Sequence, residues 1–236
     1  MHEYTHLPAG WDGCMKYKCN DEENCLETST DGSTLPCCEE LLHRMAVDID
    51  RLLKSYNALS FPFSGTLLGI IREGSVMPNN VTADVDFLVD SDTFQDIYIK
   101  PMGFLLRYAF YSLGYHMFAD GSDLGRVCFR KNGRNLGLGL QEDDKAVHFN
   151  LTHGQDNWKY YNFYKYGDLY RTENRNNNSF FIFASENFPQ GLRFDDIYPL
   201  RPVRIKDHVF EIPLQTEDML TVMYGNWSQV IKQMHH

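Results

Sequence analysis

Residues 61–89 read FPFSGTLLGIIREGSVMPNNVTADVDFLV, and the way this stretch divides decides the fold. Phe61 and Phe63 lead into a turn at Ser64-Gly65, and Thr66 to Arg72 has the spacing of a short helix. A loop with Gly74, Pro78, Asn79 and Asn80 follows, then a strand over 83–89. Side chains alternate along a strand, so Asp84 and Asp86 share one face while Val85 and Phe87 point into a core. Carboxylates two strand positions apart lie roughly 6–7 Å from each other. Their repulsion is on the order of 2–3 kcal/mol at an effective dielectric of about 20. A divalent cation between them turns that repulsion into binding energy, and oxygen ligands of this kind suit Mg²⁺ or Mn²⁺. The turn Ser64-Gly65-Thr66 opens a helix and offers backbone N–H groups to phosphate oxygens. Paired aspartates also occur on ordinary solvated faces, and the spacing alone leaves that reading open.

A chain of 236 residues suits one domain, or one domain with an appendage, and is long enough to bury a substantial core. Hydrophobic residues at 43% and charged residues at 23% are ordinary globular proportions. The balance of 22 basic to 32 acidic residues gives a net charge of −10, which argues against a general nucleic-acid or anionic-membrane surface. The chain has no apolar run long enough for a membrane-spanning helix. Its start, MHEYTHLPAGWDGC, has neither a charged n-region nor an apolar h-region. The expectation is a cytoplasmic protein, or one whose signal or anchor is not part of this chain.

Residues 1–36 form a polar, cysteine-rich segment ahead of a domain over 37–236. Cys14, Cys19, Cys25, Cys37 and Cys38 crowd its length and its junction. So polar a segment needs a staple, either disulfides or a structural Zn²⁺, and both stay open. Cys128 is expected as a buried free thiol in a strand. Over 37–57, Leu41, Leu42, Met45, Ile49, Leu52 and Leu53 mark the buried side of an amphipathic helix. His43, Arg44, Asp48, Asp50 and Arg51 are its expected solvated face. A second helical pattern covers 91–113 with a break at Pro101, and strands are expected at 115–118, 126–130 and 147–151. The expected fold class is α+β, a mixed sheet with flanking helices. Residues 158–170 are rich in aromatics, read as core in preference to a stacking platform, and 171–178 read as a polar loop. Thr216 is expected to cap a last helix that Gly225 stops.

GTLLGIIREGSVMP at 65–78 followed by ADVDF at 83–87 resembles the LicD/fukutin family of phosphotransferases, and the fukutin-related type in particular. The adjacent cysteines in Pro36-Cys37-Cys38 stand where that type ends its cysteine cluster. Segments 196–200, 210–213 and 224–227 resemble the family's closing signature. The resemblance implies a nucleotidyltransferase fold related to DNA polymerase beta. It implies metal-dependent transfer of a phosphorylated alditol, choline or sugar from a nucleotide diphosphate donor, CDP-linked favoured, to a glycan or glycoprotein acceptor. Asp84 and Asp86 are then metal ligands, and Ser64, Gly65, Thr66 and Arg72 bind donor phosphates. The alternative for Arg72 is an ion pair with Glu73 or a nearby aspartate. The family takes a third carboxylate from a later strand, where this chain has His148-Phe149-Asn150-Leu151, so Asn150 stands in the aspartate's place. The family also implies a Golgi or secretory lumen, and the sequons at Asn80, Asn150, Asn177 and Asn226 do not decide the compartment. Asn150 favours an alternative, a weak or inactive nucleotide- or glycan-binding module on the same fold. A third reading is an extracellular interaction protein dominated by its cysteine segment.

Overall fold

A computed structural model describes residues 8, 10–15, 17, 19, 37–76, 84–90, 101–119, 124–131, 166–175, 179–182 and 192–228. The strand expected around the aspartate pair forms as β2, Asp84–Val89. Before it come α1 (Cys38–Ser55), β1 (Ser60–Pro62) and α2 (Ser64–Glu73). After it come α3 (Pro101–Ser112), β3 (Tyr115–Ala119), β4 (Leu124–Phe129), β5 (Tyr166–Arg175), β6 (Ser179–Ile182) and β7 (Leu192–Arg193). The short α4 (Phe194–Ile197), a hairpin of β8 (Leu200–Ile205) and β9 (His208–Pro213), and α5 (Thr216–Tyr224) complete the described chain. No described helix is long and apolar enough to cross a membrane.

The main sheet runs β1-β2-β5-β4-β3, with β6 beside the second half of β5 and β7 beside β6. β2 and β5 are parallel and the other pairs antiparallel, so the sheet is mixed and the class is α+β, as expected. The sheet's apolar face carries Val85, Phe87, Val127 and Leu169, and it packs on Leu42, Met45, Ile49 and Leu53 of α1 and on Phe110 of α3. Gly167 makes this approach possible, because a Cβ there would lie 2.5 Å from Ile49 Cδ1. A second cluster joins Phe61, Phe63, Leu67 and Leu88 to Met219 and Leu220 of α5.

Several expectations need correction. α1 spans nearly the expected residues, and Arg44 and Arg51 are exposed, but His43, Asp48 and Asp50 are buried. The reason is tertiary: partners from elsewhere in the fold cover part of the polar side. Asp50 Oδ2 accepts Lys54 Nζ at 2.9 Å and lies 2.7 Å from His208 Nε2. Asp48 Oδ2 accepts the Tyr115 hydroxyl at 2.8 Å, and His43 Nε2 lies 3.3 Å from Asp207. Residues 171–175 continue β5 instead of forming a loop, since Arg171 pairs with Val89 and Thr172 to Arg175 pair with Ser179–Ile182; residues 176–178 lie outside the described residues. Thr216 is the first residue of α5 with Gln215 in the capping position, and its hydroxyl donates back to the Pro213 carbonyl. Gly225 ends that helix as expected, at φ 65°. The strand at 147–151, the segment 91–100, Cys25, and the sequons at Asn80, Asn150 and Asn177 lie outside the described residues.

Cys128 is not a free thiol. It is bonded to Cys14 across 114 residues, while Cys19 is bonded to Cys38 and Cys37 is also in a disulfide. No described cysteine is free, so among these residues the disulfide alternative stands and none is left for zinc. Cys14 reaches β4 because it forms a β-bridge with Arg130. Cys14 thus lies directly against the sheet.

Candidate metal centre

Strand register assembles the site. In the parallel pair, Asp86 stands opposite Asp168 and Asp84 opposite Tyr166. In the next, antiparallel pair, Arg126 stands opposite Asp168. Partners in register point to the same face, so Asp86, Asp168 and Arg126 form one row on the face away from α1. Asp84, Tyr166, Cys128 and His116 form the adjoining row. Asp84, Asp86 and Asp168 each offer a carboxylate oxygen, and these oxygens lie within 4.8 Å of one another.

Asp86 is held from the start of α2. Its backbone N–H donates to Thr66 Oγ1 at 2.8 Å, and its carbonyl accepts the Phe63 N–H at 2.9 Å. Its carboxylate accepts the Gly65 N–H, yet its buried Oδ1 has no hydrogen-bond partner. Burial pushes the Asp86 carboxyl well above the usual range, with Asp84 and Asp168 adding to the effect. Asp168 is 3% exposed. Burial raises its carboxyl to about 7 even though Arg126 pulls it down. Arg126 Nη1 donates to both Asp168 oxygens, at 2.7 and 2.9 Å, and the Tyr170 hydroxyl donates to Oδ2 at 3.4 Å.

Three carboxylates so close, two of them buried and one with an orphaned oxygen, are costly without a cation. Hard, all-oxygen donors of this kind suit Mg²⁺ or Mn²⁺ better than softer metals. The donor set therefore fits a divalent metal ion.

Around the carboxylates stand further polar groups. Ser64, at φ 49°, turns the chain sharply from β1 into α2, and its Oγ lies 3.0 Å from the Tyr224 hydroxyl of α5. The Tyr224 hydroxyl is pushed up to about 12, chiefly by burial and further by Asp86 and Asp84. The Arg126 guanidinium lies 5.4 Å from the Trp11 ring centroid and 5.0 Å from that of Tyr166.

The sequence-derived site residues divide accordingly. Asp84, Asp86, Ser64, Gly65 and Thr66 come together, with Gly65 and Thr66 serving Asp86 directly. Arg72 is engaged by its neighbour: Nε and Nη2 both donate to Glu73 Oε1, at 2.9 and 2.6 Å, which is the ion-pair alternative. Asn150 lies outside the described residues, and among the described residues the third carboxylate beside Asp84 and Asp86 is Asp168. Sequence reasoning missed Asp168, Arg126, Tyr170 and Tyr224. A signal for Asp168 was present. Tyr166, Asp168 and Tyr170 alternate with Gly167 and Leu169, the same polar-in-apolar alternation that marked Asp84 and Asp86.

Comparison with protein-family models and with curated proteins finds no match for this chain.

Proposed function

We propose that this chain is a metal-dependent phosphotransferase of the LicD/fukutin kind on a nucleotidyltransferase fold. In this reading it moves a phosphorylated alditol, choline or sugar from a nucleotide diphosphate donor, CDP-linked favoured, to a glycan acceptor. The observation that carries the reading is the buried cluster of Asp84, Asp86 and Asp168 with the unpartnered Asp86 Oδ1. The motif resemblance around Gly65 and Asp86 adds the reaction class.

Asp84, Asp86 and Asp168 would hold Mg²⁺ or Mn²⁺, which would neutralise charge on the donor diphosphate. Gly65 and Thr66 fix Asp86 so that its oxygens need not reorganise. The positive end of α2 faces the same cluster and favours phosphate oxygens. An acceptor hydroxyl forms the new O–P bond and gives up its proton. The bond from that phosphorus to the nucleoside monophosphate breaks, and the monophosphate leaves. The disulfides Cys14–Cys128 and Cys19–Cys38 favour an oxidising compartment, in keeping with a secretory lumen. The inactive-module alternative rests on Asn150 and on the thinned acidic run before Asp84; the carboxylate of Asp168 beside Asp86 supports the transferase reading over it.

Calorimetric titration of CDP, UDP and GDP, with and without Mn²⁺, tests the reading. Metal-dependent binding of one nucleotide by the wild type, lost in Asp86→Asn, is expected, followed by release of the monophosphate from the matching donor. A folded wild type that binds none of the three in Mn²⁺ refutes it.

A further inference from the structure

Arg126 has the most unusual setting of any described cation. It sits in register with two carboxylates, its guanidinium faces two aromatic rings, and it comes from a strand that sequence reasoning did not connect with the site. Resting on the phosphotransferase reading, we infer that Arg126, and not Arg72, is the cationic side chain that receives the donor's diphosphate.

Three observations carry this. First, Arg72 is turned to Glu73 through both Nε and Nη2. Second, Arg126 adjoins the cluster: its Nη1 bridges both Asp168 oxygens, and its charge offsets Asp86 as well as Asp168. A metal-bound diphosphate at Asp86 and Asp168 therefore arrives beside a guanidinium. Guanidinium is planar and always charged, and its fork of donors matches phosphate oxygens. Third, the group is pre-oriented. The Trp11 and Tyr166 rings, nearly perpendicular to each other, flank the guanidinium and restrict its position, and Trp11 is itself braced edge-on against Phe118 at 5.1 Å between centroids. The Cys14–Cys128 disulfide anchors the segment that carries Trp11. Trp11, from the cysteine-rich segment, thereby contributes to the phosphate site.

The competing role is structural, with Arg126 serving only as the charge partner of Asp168. Both roles are separated by titrating Mn²⁺ alone, then CDP, UDP or GDP and the corresponding monophosphate in saturating Mn²⁺. Arg126→Gln should keep Mn²⁺ affinity within about threefold, since it removes a competing cation along with a support. It should weaken diphosphate binding by at least about tenfold, the loss expected for a charge-assisted contact. Monophosphate binding should fall less. Arg72→Gln should leave both unchanged. If Arg126→Gln does not fold, Arg126→Lys carries the test. It keeps the charge on Asp168 but loses the planar fork of donors, so Mn²⁺ binding should persist while diphosphate binding falls several-fold. Loss of Mn²⁺ and diphosphate binding together in a folded Arg126 variant assigns the residue to Asp168 alone and overturns the inference. Wild-type diphosphate affinity in Arg126→Gln overturns it equally. A wild type that binds no nucleotide in Mn²⁺ overturns the phosphotransferase reading beneath it, a separate and distinguishable result.

Discussion

Replacing Asp86 by Asn should make the metal-free protein more stable near neutral pH while abolishing its response to divalent cations. The carboxylate oxygens of Asp84, Asp86 and Asp168 lie within 4.8 Å of one another. At an effective dielectric of about 20, each ionised pair at such a distance costs about 3 kcal/mol. Arg126 offsets part of this, and protonation caps the rest, because burial and the neighbouring carboxylates push Asp86 well above its unfolded value. The sign follows from linkage. A carboxyl whose folded value is raised binds its proton more tightly when folded, so its contribution is fully present below the unfolded value, about pH 4, and is lost as pH rises through the folded one. Asp168, raised to about 7, follows the same rule. The amide of Asn keeps the shape and can still accept the Gly65 N–H, but it carries no charge. The expected gain is about 2–4 kcal/mol at about pH 7.5, shrinking toward zero near about pH 4. Urea denaturation in EDTA across this range measures it. Added Mn²⁺ should raise the midpoint of the wild type and leave that of the variant. A variant less stable than the wild type throughout the range would show that Asp86 is satisfied by the fold itself, and the reasoning would fail.

Asp168→Asn should remove most Mn²⁺ affinity, whereas Asn150→Ala should leave it within about twofold; titration of both variants checks that β5 supplies the third carboxylate. Gly167→Ala should cost about 1–3 kcal/mol, because the new methyl meets Ile49 Cδ1 inside a packed core. Ile49→Val alone should cost about 0.5–1.5 kcal/mol. The double variant should nevertheless be more stable than Gly167→Ala alone, and a denaturation cycle that finds simple additivity contradicts the contact. Replacing Cys14 and Cys128 together by Ser opens a loop closed across 114 residues and should cost about 3–5 kcal/mol in chemical denaturation, with little change expected if the N-terminal segment were an independent unit.

Much of the fold was legible because local pattern and tertiary demand agree in β2 and α2. Alternation put Asp84 and Asp86 on one face, and the helix read over Thr66 to Arg72 forms as part of α2. The alternation at Tyr166, Asp168 and Tyr170 carried the same information, but the dense aromatics around it drew the reading toward generic core. Arg126 could not be found this way. Its place depends on β4 lying next to β5, a pairing between distant segments that no local period encodes. The buried polar side of α1 failed for the same reason: His208 and Asp207 arrive from the β8–β9 hairpin more than a hundred residues later in the chain. Cys128 has no neighbouring cysteine in sequence, so its partner was invisible until Cys14 came to rest beside β4.

The parallel pairing of β2 with β5 also bears on the order of folding. Asp84 meets Tyr166 and Asp86 meets Asp168 only after the whole intervening chain has been spanned. Closing so long a connection costs entropy before its contacts can reward it, and such pairings form slowly. Hairpins such as β3–β4 and β8–β9 can close early, while the carboxylate cluster does not exist until the crossover is complete. On the metal-binding reading, a cation added during refolding should therefore find no assembled ligand set in the early species. Its effect should fall on the other limb: by binding only the finished sheet, it should slow unfolding and leave the folding rate nearly unchanged.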